Sequence, residues 1–239
     1  MNNLVNLAKL NQLPEHQYMD ADTLEWIRLN QPFDYKVASK KFNSQIVIEK
    51  IKELKPKLEW FLEPKTIDSI HGMRHILRVM VHTHILSVDM QINETQHNEV
   101  MIAAATHDLR RLNDKGDHLH GLRAAKWIKS NSKMLSSYYS EDINWDAVMS
   151  LVEFHEKPDN QGSIINRYKT QLDILKTADA LDRYRQPKLK WRINDIYLNL
   201  LPSDTHKQFA YELVLESEKK HLDGLDNFNC ILQALQSYV

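Results

Sequence analysis

The sequence predicts an all-α protein, on three observations. Glycine is scarce, with five in 239 residues. Runs that alternate β-branched and polar residues, as a half-buried strand requires, are missing. Apolar residues recur instead at helical spacing along most of the chain.

The elements follow in order. Residues 20–30 (DADTLEWIRLN) open on an Asp–Thr start signal and read as a short helix. Residues 44–62 place Ile46, Ile48, Ile51, Leu54, Leu58 and Phe61 on one broad stripe, with a kink expected at Pro56. Residues 72–90 carry apolar side chains around most of their circumference, which predicts a central, buried helix. The next helix, 94–107, contains Ala103–Ala104–Ala105, a run small enough for close packing. The polar segment DLRRLNDKGDHLHG that follows has turn residues and no periodicity, and reads as a loop of the functional kind. Further helices are expected at 119–131, 143–155, 164–186, 189–200, 204–221 and 225–238. Breaks fall at Pro158–Asp159 with Gly162, at Pro187, at Pro202–Ser203–Asp204 and at Gly224.

Composition narrows the function classes. Hydrophobic residues make up 42% and charged residues 26%, the balance of an ordinary globular protein that can bury a core. A formal net charge of −1 supplies no global field toward nucleic acid or a membrane surface, so any attraction to phosphate has to be local. The single cysteine, Cys230, provides neither an internal disulfide nor a zinc cluster. The opening MNNLVNLAKLNQLPEH lacks the basic start and apolar run of a secretory signal. No stretch approaches the ~20 apolar residues of a membrane span. A cytoplasmic location without a membrane partner is the expectation.

Twelve histidines are many for this length, and several lie beside carboxylates. His107–Asp108 is the first pair of interest. Adjacent helical residues do not share a face, but at a helix end both can turn toward one point, where a ring nitrogen and a carboxylate oxygen can meet one ion. His75 begins the buried helix, with Arg78 three residues on and on the same face. Asp179 lies in an apolar stretch with Leu172, Ile174, Leu175, Ala178 and Leu181, with Asp182 and Arg183 on its own side. A buried carboxylate needs a partner, and a metal ion would supply one.

The order H…HD…D, embedded as HILRV, AAATHDLRR and LKTADALDRYR, resembles the HD-domain superfamily of metal-dependent phosphohydrolases over roughly residues 68–186. The resemblance implies an all-α HD bundle in which His75, His107, Asp108 and Asp179 bind a divalent metal. It implies a domain division of 1–67 (N-terminal helical extension), 68–186 (metal-binding core) and 187–239 (C-terminal helices packed on the core). His120, in DHLHGLRAAKWI, and His155, in LVEFHEKPD, look like the histidines that join a second metal in two-metal relatives or face the phosphate in one-metal relatives. One ion is expected rather than two, because a second complete ligand set is not evident. Asp114 and Asp117 are candidates for a second site, with a solvated-loop reading preferred for Asp114. Mixed His/Asp ligation suits Mn, Fe, Co, Ni, Zn or Mg.

The expected activity is hydrolysis of a phosphoester of a small phosphorylated substrate, a nucleotide or a related molecule, by metal-activated water. Asp108 would orient the water as well as bind metal. Arg78 and Arg110 or Arg111 would balance phosphoryl charge. His120, His155 or Lys157 would hold phosphate oxygens or protonate the leaving oxygen. Residues 183–192 (RYRQPKLKWR) add a basic, aromatic stretch, with Arg183 and Arg185 placed for a substrate role. That stretch favours one alternative, a metal-dependent nuclease on single strands. Another is an HD-fold regulator without turnover, against which the complete ligand set counts. Homo-oligomerisation is compatible with the extensions. His71 reads as surface or as a support to the ligands, and His82, His84, His97, His118 and His206 as structural or exposed.

Overall fold

The computed structural model describes residues 3–32, 38–158, 166–187 and 193–238. Those residues form helices and turns with no strand, the all-α architecture expected. The helices are α1 (Leu4–Lys9), α2 (Ala21–Leu29), α3 (Ser44–Leu54), α4 (Met73–Asp89), α5 (Glu94–Thr106), α6 (His120–Tyr138), α7 (Trp145–Phe154), α8 (Lys169–Leu181), α9 (Asp204–Leu222) and α10 (Asn229–Gln236).

Side-chain caps fix most starts by satisfying a backbone N–H that the first turn leaves without a partner. Asp20 accepts from Thr23 N at 2.8 Å at α2. Asn93 and Gln96 form a reciprocal capping box at α5. Asn144 opens α7 and Ser203 opens α9 in the same way. α1 was not anticipated; at six residues, it is too short for a periodic signature and rests on its Asn3 cap.

Several boundaries depart from expectation for identifiable reasons. The helix expected over 44–62 stops at Leu54 instead of kinking. Lys55, before Pro56, is extended at ψ 142°, as the proline ring requires of its predecessor, and a 3-10 turn follows at Leu58–Trp60. α6 runs on to Tyr138 because no breaker interrupts it and Leu135 is buried. The helix expected over 164–186 ends at Leu181 and tightens into a 3-10 turn, Asp182–Arg185; positions 164–165 lie outside the described residues. Over 189–200 the described part holds only a 3-10 turn, Asp195–Tyr197, capped by Asn194.

α4 is the axis of the molecule. It packs against α3, α5, α8, α9 and α10, and every residue from Met73 to Ser87 is buried. Ala103, Ala104 and Ala105 are fully buried, the close packing that small side chains permit. Gly72 sets where α4 begins: a Cβ there would collide with the carbonyl oxygens of Thr66 and Ile67. His75 consequently falls in the first turn. Residues from both ends of the chain, such as Ile27 and Leu235, join the same hydrophobic core as α4.

Candidate metal centre

Five helix ends meet at one place. His75 comes from the first turn of α4 and His120 is the first residue of α6. His107 and His155 cap the C-termini of α5 and α7. Asp108 follows His107, and Asp179 lies in the last turn of α8. Asp108 is the hub. His75 Nε2 lies 3.5 Å from its Oδ2, while the Nε2 atoms of His120, His107 and His155 lie 3.0, 3.9 and 3.9 Å from its Oδ1. Asp179 Oδ1 is 3.4 Å from His75 Nε2.

The opposite ring nitrogens each face an acceptor, although Arg111 Nη1 also lies 3.3 Å from that of His120. His75 Nδ1 donates to Asp182 Oδ2 at 2.7 Å, and His107 Nδ1 to Ala104 O at 2.8 Å. His120 Nδ1 donates to Asp117 O at 2.5 Å, and His155 Nδ1 to Val152 O at 2.7 Å. With the proton on Nδ1, a ring in its neutral form points an Nε2 lone pair inward. Two such pairs face each other closely, His75–His107 at 3.2 Å and His120–His155 at 3.0 Å. Asp108 Oδ1 is buried and has no hydrogen-bond donor. Lone pairs turned on one another around an unsatisfied carboxylate oxygen fit a divalent cation, and a histidine whose second nitrogen donates to a carboxylate or carbonyl is how proteins aim such ligands. The residues divide into two groups that could hold metal, His75–His107–Asp108 and Asp108–His120–His155, with Asp108 in both.

The electrostatics favour the ligand form of His107, His155, Asp108 and Asp179. Burial pushes His155 down to about 3, with His120 and His107 adding to the effect. Burial likewise lowers His107 against the pull of Asp108. Burial disfavours the charged form of Asp108, but Arg111, His107 and His120 outweigh it and hold the carboxyl well below its usual range. Asp179 is lowered on the same balance, against burial, by His75, Arg183 and His107. His120 moves the other way: burial lowers it, but the adjoining Asp108 carries it upward.

Behind His75 lies a buried charge network. Arg78 donates to Asp182 Oδ1 at 2.5 Å and to Glu218 Oε1 at 2.7 Å. Arg74 donates to Glu218 Oε2 at 3.0 Å, and Arg185 to Asp182 O at 2.9 Å. Removing one partner from such a network leaves an uncompensated buried charge, typically a loss of about 3–5 kcal/mol.

This corrects the phosphoryl role expected of Arg78, which is fully buried and committed to Asp182 and Glu218. Arg110 is also turned away: it donates to Trp60 O and lies over the Trp127 ring. Arg185 touches the cavity edge, but its guanidinium is spent on Ile70 O and Asp182 O. Asp114 is not a solvated loop residue; it is buried and accepts from Gln17 N, Ser69 Oγ and His71 Nδ1, which pins the loop to the N-terminal segment. Asp117 is occupied by Leu112 N and Arg123.

A cavity of about 710 Å³ opens onto the cluster, and Asp108, Asp179, His120 and His155 reach it. Arg111, Lys157 and Arg183 line it, where the sequence placed substrate contacts. Arg111 donates from Nε and Nη2 to Asn113 O and Lys115 O, which leaves Nη1 3.5 Å from Asp108 Oδ1 and beside the His120 ring. Positions 188–192 of the basic stretch lie outside the described residues. His82, His84 and His206 are buried structural residues, His97 is half-buried, and His118 is exposed.

Three functional residues escaped the sequence reading. Asp182 had a signal, three residues from Asp179 on the same face. Glu156 lines the cavity 3.2 Å from His120 Nδ1, and its signal was the adjoining His155. Glu218 had none, since it reaches the network from α9, 140 residues from Arg78.

Compared with protein-family models, curated proteins and solved structures, the chain matches none. No helix among the described residues is long and apolar enough to cross a membrane.

Proposed function

We propose that the chain is a metal-dependent phosphohydrolase of the HD type, acting on a phosphoester of a nucleotide or related small molecule. The observation that carries the reading is the convergence of four histidine Nε2 atoms on Asp108, each ring held in one tautomer by its Nδ1 proton. The resemblance in HILRV, THDLRR and TADALDRYR supplies the reaction class.

Two ions are the better fit than one. His75, His107 and Asp179 serve one side of Asp108, and His120 and His155 serve the other. When bound, such ions polarise a phosphoryl oxygen and make water a nucleophile near neutral pH. Asp108 belongs to both halves and would hold an ion in each. Arg111, Lys157 and Arg183 meet phosphoryl oxygens from the cavity wall. Glu156 fixes the second half by facing His120 Nδ1 and accepting from Gly121 N at 3.2 Å.

The test is turnover by the purified protein with Mn, Fe, Co, Ni, Zn or Mg against mononucleotides, a chromogenic phosphodiester and a chromogenic phosphomonoester. Metal-dependent release that disappears in Asp108→Ala is the expected result. Turnover insensitive to both chelator and Asp108→Ala would overturn the reading.

A further inference from the structure

The cavity extends well past the His/Asp cluster, and its outer wall comes from a part of the chain that the metal-binding motifs do not touch. The 3-10 turn Asp195–Tyr197 forms that wall, with Ile196 78% and Tyr197 66% exposed. Scattered exposed apolar side chains are ordinary on a protein surface. Two adjacent ones on the wall of a charged cavity, on a turn held from several directions, are a different matter. Asp195 pairs with Lys207 of α9 at 2.8 Å. Asn199 Nδ2 donates to Asp173 and Thr177 Oγ1 to Leu200 O, which tie the following residues to α8. The turn is thus fixed to two helices while its apolar pair is left bare.

The rest of the lining carries six cationic side chains against four carboxylates. Lys115 comes from the loop before α6, Lys157 from just after α7 and Lys176 from α8, so three separate elements bring lysines to the lining of one space. Lys157 is partly neutralised by Glu153 at 2.7 Å and Lys176 donates to Lys157 O. The Lys115 ammonium makes no hydrogen bond or ion pair among the described residues. A single phosphoryl group at Asp108 would already have Arg111, Lys157 and Arg183. Lys115 and Lys176 exceed what it needs.

We propose that this outer half is a specificity subsite, and that the substrate carries a planar ring, packed on Tyr197 and Ile196, and at least one anionic group besides the one that reacts, met by Lys115 and its neighbours. The cavity volume, about 710 Å³, lies in the range that encloses a ligand of that size. A bare sugar phosphate or inorganic polyphosphate would leave the apolar turn uncovered. The inference deepens the phosphohydrolase reading and rests on it for which group reacts, but not for where the ring lies.

The experiment is calorimetric binding to the metal-loaded, full-length protein, with ADP, AMP and ribose 5-phosphate as probes. ADP should bind more tightly than AMP, and AMP more tightly than ribose 5-phosphate. Tyr197→Ala should weaken ADP and AMP by about tenfold, the usual worth of a stacked ring, and leave ribose 5-phosphate unchanged, while Tyr197→Phe should bind as the wild type does. Lys115→Ala should narrow the gap between ADP and AMP. Equal binding of ADP and ribose 5-phosphate, including no binding of either, overturns the proposal. So does an equal loss for all three probes in Tyr197→Ala. Tyr197-dependent binding without any hydrolysis would leave the subsite standing and sink the phosphohydrolase reading; hydrolysis indifferent to Tyr197 would do the reverse.

Discussion

Two sets of packed histidines sit in this molecule, and they are wired differently. Around Asp108, four rings donate Nδ1 protons to atoms that only accept and turn their Nε2 atoms on a shared carboxylate. Farther along α4, His82 faces His206 at 3.2 Å and His84 packs on His97 with ring centroids 4.9 Å apart. Among the described residues no carboxylate is hydrogen-bonded to either pair, although Asp89 acts on His206 from a distance, and His82 Nε2, His84 Nδ1 and His97 Nε2 have no hydrogen-bond partner. Burial lowers the basicity of all four rings, His206 and His97 to about 4. Burial and ring proximity are therefore common to both sets. A fixed tautomer and a shared carboxylate belong to one, and those are the features that make ligands.

The comparison breaks most sharply at its hub. Asp108→Ala should cost at least a hundredfold in metal affinity, because it removes the carboxylate that all four rings face, and circular dichroism of the variant separates that loss from a loss of fold. The next effect tests one half against the other. Glu218→Gln keeps an acceptor for Arg78 but weakens the chain of contacts through Asp182 to His75. Metal titration should show about a tenfold loss on the His75 side with the His120 side unchanged. Equal loss on both sides would reduce Glu218 to a general support of the fold.

The second set should announce itself through acid rather than metal. His206 falls from the ordinary 6.5 to about 4 in the folded state, so the fold favours its neutral form. Its stabilising contribution is complete above pH 6.5 and declines as pH falls toward 4, reaching a loss of about 2 kcal/mol at pH 5. Denaturant melts of metal-free protein at pH 7 and pH 5 should show this loss shrinking in His206→Gln. The smallest effect belongs to His84→Leu, which removes a buried nitrogen without a partner. It should stay within about 1 kcal/mol of wild-type stability and leave metal binding alone.

How much was legible in the sequence varied with distance along the chain. His75, His107–Asp108 and Asp179 were readable because each sits at a helix boundary marked by local pattern: Gly72 before α4, the alanine run before His107, and the apolar spacing around Asp179. His120 and His155 were legible as neighbours, but their side of Asp108 was not, since it depends on how α6 and α7 pack together. Arg78 misled because sharing a face with His75 is also what a supporting residue does. Glu218 and the Tyr197 turn were beyond reach, because α9 and α8 bring them in from outside the motif region.

The central claim is that the Asp108 cluster is a metal centre and the other histidines are not. Metal content after equilibration with manganese or iron and gel filtration tests it most directly, measured in wild type, Asp108→Ala and a double variant, His84→Leu with His206→Gln. Two ions per chain are expected in the wild type and the double variant, with both lost in Asp108→Ala. Wild type emptied of metal, or Asp108→Ala retaining it while the double variant loses it, would rule out a metal centre at Asp108.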